Sequence, residues 1–172
     1  MNKLLPAAVC LLALCACSHQ GSDQNEAAFP VQKVSGLDMS EIHNSSTTWR
    51  LKTPSAQILE KSGKAMLASP EIEFMEKNEV VSRITASRSE LMLDTKDMVM
   101  EDNVVARSLR DKTTLETSLL RYSPSRKKIY TEKEVLITQN GTRMKGHNFE
   151  ANPDLSEISL ENQVALLAED KP

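Results

Sequence analysis

The sequence predicts an all-β fold, an open, twisted β-jellyroll of stacked antiparallel hairpins, on three observations. The first is a repeat. Met98-Val-Met-Glu-Asp-Asn-Val104, Ile129-Tyr-Thr-Glu-Lys-Glu-Val135 and Ile158-Ser-Leu-Glu-Asn-Gln-Val164 share an apolar start, Glu fourth, a polar sixth residue and Val seventh. Met66-Leu-Ala-Ser-Pro-Glu-Ile72 is a weaker copy, so starts at 66, 98, 129 and 158 mark a unit of about thirty residues. A related triplet precedes each copy: Leu51-Lys-Thr53, Ile84-Thr-Ala86, Leu115-Glu-Thr117 and Met144-Lys-Gly146. Such periodicity describes about four copies of one supersecondary unit stacked so that each buries the apolar face of the next. Most enzyme architectures are excluded by it.

The second observation is alternation. Ile129, Thr131, Val135 and Ile137 share one parity, as do Ile158, Leu160, Val164 and Leu166, and Met98, Met100, Val104 and Ala106. A period of two over short runs marks strands with one apolar face. The third is turn chemistry where the alternation breaks: Ser62-Gly63, Lys77-Asn78, Thr95-Lys96, Ser123-Pro124 and Asn152-Pro153. Asn140-Gly141 is the strongest hairpin signal, because both residues accept the left-handed backbone of a tight turn. No long helix fits after Trp49. A stack built this way ends in open sheet edges, which can add a strand from a partner.

The front of the chain reads differently. Lys3, the apolar run from Leu4 to Cys15 and the close Leu14-Cys-Ala-Cys17 form a lipoprotein signal, with residues 1–16 removed and Cys17 acylated. The apolar run is too short to span a bilayer, whereas multiple acyl chains on Cys17 hold a protein stably to a membrane. Cys10 and Cys15 fit the acceptor position less well, since one lies mid-core and the other follows Leu14. An ordinary secretory signal or a short uncleaved anchor is the competing reading. Residues 17–40 are expected as acylated cysteine and flexible tether, 41–168 as the β-domain and 169–172 as a tail.

All three cysteines lie within residues 10–17, so the folded part has none for a disulfide, a thiol nucleophile or a zinc site. The formal net charge is −3 and aromatic residues make up 3% of the chain, which argues against nucleic acid. His19, His43 and His147 stand apart without partners at metal-ligand spacing, and no cofactor motif is present. Glu101, Glu132 and Glu161 recur at one point of the unit and read as solvent-facing turn residues, not as paired catalytic acids. Asn44-Ser-Ser46 and Asn140-Gly-Thr142 match a glycosylation pattern and read as loops. The expectation is a protein that is not an enzyme.

Trp49-Arg-Leu-x-x-Pro-x-Ala56, Leu67-Ala-Ser-Pro-Glu-Ile-Glu-Phe74 and Ile84-Thr-Ala86 resemble the opening of the LptC family, the membrane-anchored periplasmic component of lipopolysaccharide export. Leu115-Glu-Thr-x-Leu-Leu-Arg-Tyr122, Ile129-Tyr-Thr131, Val135-Leu-Ile137 and Met144-Lys-Gly146 are similar to its remainder, so the resemblance covers about residues 47–166. It implies a jellyroll with a slot between two walls for the acyl chains of lipid A. Lipopolysaccharide would arrive from the inner-membrane ABC transporter and leave to an LptA-like bridge protein by edge-to-edge β pairing.

Two features depart from the family pattern. A lipobox stands where the family usually has a transmembrane helix. Ser18 also follows Cys17 where Asp commonly retains lipoproteins at the inner membrane. The resemblance implies the periplasmic side of the inner membrane; Ser18 implies the outer membrane. The candidate slot residues are Ile84, Met98, Met100, Leu115, Leu119, Ile129, Val135, Ile137, Met144 and Phe149, with core packing as the alternative for each. Arg83, Arg88, Arg107 and Arg121 are candidates for lipid A phosphates at the rim, or solvated surface charges. The competing function is a structural outer-membrane lipoprotein that docks a partner by its β-edges and carries no lipid.

Overall fold

Short apolar alternations extend this chain into strands, and pairs of left-handed residues turn it between them. The computed structural model describes residues 31–166. Its strands are β1 (Val31–His43), β2 (Ser46–Leu59), β3 (Lys64–Ala68), β4 (Glu71–Glu76), β5 (Glu79–Thr85) and β6 (Arg88–Met92). They continue as β7 (Met98–Ser108), β8 (Thr114–Ser123), β9 (Lys128–Thr131), β10 (Val135–Gln139), β11 (Thr142–Ala151) and β12 (Ser159–Leu166). A single 3-10 turn, Glu60–Ser62, is the one helical element among the described residues. The all-β architecture expected from the alternation is present, and every strand pairing is antiparallel.

Asn140 and Gly141 join β10 to β11 with φ of +50° and +80°, the doubly left-handed turn that the dipeptide predicts. Lys77-Asn78 turns β4 into β5 in the same way, with φ of +50° and +65°. So does Asn44-Ser45 between β1 and β2, with φ of +48° and +64°. The sequence marks that third turn only as a loop.

The strands build two walls joined along a seam. In β2, Trp49–Lys52 pair with β4 while Ser55–Leu59 pair with β3, and the chain bends between them at Thr53-Pro54. In β7, Val105–Ser108 pair with β5 and Met98–Leu91 contacts tie its first half to β6. The first wall runs β1-β2-β4-β5-β7-β8-β10-β11-β12, and the second β1-β2-β3-β6-β7-β8-β9-β11-β12. Each repeated triplet ends a passage through the first wall, just before the seam. Each seven-residue segment carries the chain back across it: β3 to β4 at Ser69-Pro70, within β7 at Asp102-Asn103, β9 to β10 at Glu132–Glu134, and within β12 at Asn162. The periodic signal in the sequence is therefore the crossing of a seam.

That crossing reverses the side-chain alternation in several strands. In β2 the buried residues are Trp49, Leu51 and Thr53, and then Ala56. In β11 Gly146 is buried before the bend and Phe149 and Ala151 after it, with Asn148 at φ +51° between them. In contrast, β7 keeps Met98, Met100, Val104 and Ala106 inside. There Asp102 and Asn103 both take left-handed φ, +59° and +52°, a conformation these residue types tolerate.

One boundary differs from the sequence reading. Residues 31–40, expected as tether, belong to β1, which pairs with β2 from Val31 opposite Leu59 to His43 opposite Ser46. Val34, Leu37 and Met39 pack against the core, but Gly36 at φ +69° shifts the parity between them and hides the pattern. The expected signal peptide, the acyl site Cys17, the rest of the tether and the tail 169–172 lie outside the described residues.

Candidate functional site: the interior between the walls and its two ends

Strand register lines the interior in rows. On the first wall one row runs Met39, Leu51, Ile72, Ile84, Ala106, Leu115, Ile137 and Met144, each directly opposite the next. On the second wall the matching row is Ile58, Ala65, Leu91, Met98, Tyr122, Ile129 and Ala151. Aliphatic and thioether side chains dominate both. Every inner residue of these rows from Leu51 to Ile137 and from Ala65 to Ala151 is buried.

The sequence-derived slot residues fall into this lining with one exception. Ile84, Leu115 and Ile137 share the first-wall row, with Met144 partly buried at its end. Val135 lies opposite both Thr117 and Gly146 in the next row. Met98 and Ile129 share the second-wall row, Met100 lies opposite Leu120, and Phe149 lies opposite Thr131. Leu119 does not belong to this set. It sits opposite Glu101 and is only half-buried, while Leu120 is fully buried in its place. Parity reverses within β8 at the seam, so the alternation starting from Leu115 lands on the wrong leucine. Trp49, Ile72, Phe74, Leu91 and Tyr122 are interior residues absent from the sequence-derived set. Leu51 and Ile72 were open to the same parity argument; Tyr122 was not, because it follows the reversal.

Polar contacts fix the N-terminal end of the interior. The Trp49 indole Nε1 donates to Glu41 Oε2 at 2.9 Å, and Thr48 Oγ1 donates to the same oxygen at 3.0 Å. The rings of Phe74 and Tyr122 meet edge to face at 4.9 Å, joining the first wall to the second. Burial, with the charges of Glu41 and Asp97 adding to it, pushes the Tyr122 hydroxyl up to about 12.

The four candidate arginines lie on outer faces. Arg83 donates to Glu73 at 2.7 Å and lies 3.6 Å from Glu71, and these carboxylates raise its pKa further, the Glu73 hydrogen bond most. Arg88 is held by Glu101 at 2.9 Å and by Asp102. Arg107 stands directly opposite Arg83, and Arg121 lies between Val99 and Tyr130. Of the recurring glutamates, Glu101 pairs with Arg88 and Glu161 accepts from Asn148 Nδ2 at 2.8 Å. Both are structural ties at the seam.

At the C-terminal end the interior opens. A cavity of about 390 Å³ lies there, lined by Ile137, Gln139, Met144, Ile158, Leu160 and Gln163. Leu160 lies flat over Gly146; a Cβ on that glycine would meet its side chain at 2.6 Å. Among the described residues β12 has no partner beyond β11, and β1 none beyond β2. The stack thus ends in two open edges, and Val164 on β12 is 59% exposed. No helix among the described residues is long and apolar enough to cross a membrane.

No curated protein matches the sequence significantly. The family model described as lipopolysaccharide-assembly, LptC-related, matches residues 7–169, nearly the whole chain. This match implies a part in lipopolysaccharide transport, on the periplasmic side of the cell envelope. On its two-walled β-architecture and that match, the chain belongs to the LptC-related lipopolysaccharide-assembly family.

Proposed function

We propose that this chain is a membrane-tethered periplasmic carrier. It takes lipopolysaccharide from the inner-membrane ABC transporter and passes it to an LptA-like bridge protein. The observation that carries this reading is the unbroken apolar row from Leu51 to Met144, which crosses the first wall and ends at the C-terminal cavity. Acyl chains lying along that row exchange water for aliphatic surface, a favourable transfer of about 0.8 kcal/mol per buried methylene. The sugars stay outside in water. Transfer needs no chemistry in the chain itself; its energy comes from ATP hydrolysis in the transporter.

The open edges supply the partner contacts. The free edge of β12, beside the cavity, adds the first strand of the bridge protein, and the free edge of β1 faces the transporter. Acylation of Cys17 anchors the chain, at the inner membrane in this reading, in place of a membrane-spanning helix. In cells, a photo-crosslinking amino acid at Ile137 should give a lipopolysaccharide adduct that depends on ATP hydrolysis by the transporter. A well-expressed protein with no adduct would remove the carrier role.

A further inference from the structure

Among the described residues, the connection between β11 and β12 bridges the two walls on the side opposite the seam. Residues 152–158 leave β11 in the second wall and reach over to the first wall before β12 begins. Ser82 Oγ, on β5 of the first wall, donates to the Pro153 carbonyl at 2.5 Å. Arg110, in the turn between β7 and β8, holds Glu76 and also lies 3.5 Å from Asp154. Lys128 Nζ donates to Asn152 Oδ1 at 2.8 Å and anchors the segment's start to the second wall. Between these ties Leu155 inserts into the core, 2% exposed.

The same segment carries strain. Leu155 has φ +65° and Glu157 φ +51°, left-handed conformations that disfavour such side chains. Burial of Leu155 and the polar ties to Ser82, Arg110 and Lys128 are set against these two unfavourable backbone states. The row residues between the walls are buried against one another, and a cavity lies beside Ile158 at the C-terminal end. An acyl chain therefore needs room that the closed walls do not offer.

We propose that residues 152–158 form a strap that closes the open side of the jellyroll, with Leu155 filling space that an acyl chain takes when the strap lifts. The proposal rests on the carrier reading above. It assigns Ser82, Arg110 and Leu155 to control of access; none of them is placed in the lipid-lining rows.

The test uses the full chain with a photo-crosslinking residue at Ile137 and lipopolysaccharide as the probe. Leu155→Ala, Ser82→Ala and Arg110→Ala should each form the adduct faster than the parent, by about threefold or more as the open state gains population. Ser82→Ala removes the tie to Pro153 without opening the core, so it covers the case in which Leu155→Ala misfolds. In the parent, strap amides from Asp154 to Ile158 should exchange hydrogen faster with lipid bound than without. Unchanged adduct rates in Ser82→Ala and Arg110→Ala, with strap amides equally protected in both states, would overturn the strap while leaving the carrier role standing. A parent protein that forms no adduct would overturn both.

Discussion

Phe74 and Tyr122 come from opposite walls, and their rings meet edge to face, 4.9 Å between centroids and 71° between planes. The contact pins the two walls at one point of the interior. Such a pair adds directional attraction to the large area each ring buries. Phe74→Ala should cost about 3–5 kcal/mol of unfolding free energy, measured by urea titration. Tyr122→Phe keeps the ring pair and should cost far less; equal losses would show that the hydroxyl, not the ring contact, matters.

Tyr122 also gives the fold an alkaline limit. Its folded pKa is raised to about 12 by burial and then by Glu41 and Asp97, above the ordinary value of 10.0. The folded state therefore keeps a proton that the unfolded state releases. Its contribution to stability is complete below pH 10 and is lost as pH rises from there towards 12. Denaturation midpoints of the parent should fall over this window more steeply than those of Tyr122→Phe. Parallel curves would contradict the assignment.

Gly146 is needed because Leu160 occupies the place of its side chain. Gly146→Ala should push Leu160 outward and loosen β12, at a cost of about 1–3 kcal/mol. Hydrogen exchange should localise the effect to Ser159–Leu166. Uniform loss of protection across the domain would instead mean that β12 is not a separable edge.

At the hairpin between β10 and β11, Gly141 has φ +80° with open space around it. Gly141→Val meets no neighbour and still should destabilise by about 1–2 kcal/mol through backbone conformation alone. Gly141→Asn should recover part of the loss, as read by thermal unfolding.

These relationships differ in how far the sequence announces them. The Asn140-Gly141 and Lys77-Asn78 turns, the strand-only architecture and most lining residues follow from local rules: turn residues with positive φ and period-two alternation. Leu119 lies off the buried row for a physical reason that no local rule contains. A strand crossing the seam rotates its side chains, and the rotation depends on its partner in the other wall. β7 absorbs the same crossing with Asp102 and Asn103 and keeps its parity. The Gly36 break in β1 likewise made Val31–Ser40 look patternless. Tyr122 stays illegible because it follows the parity reversal within β8, and the contacts of residues 152–158 because they join segments far apart in the chain, as Ser82 and Pro153 do.

The adjacent residues Leu119 and Leu120 offer the most direct test of the central claim that the interior between the walls carries the lipid. A photo-crosslinking residue placed at each in turn should give a lipopolysaccharide adduct from position 120 and none from position 119, in proteins of equal thermal stability. Adducts of equal yield from both, or from 119 alone, would mean that lipid meets the outside of the wall, and the interior would be a packed core.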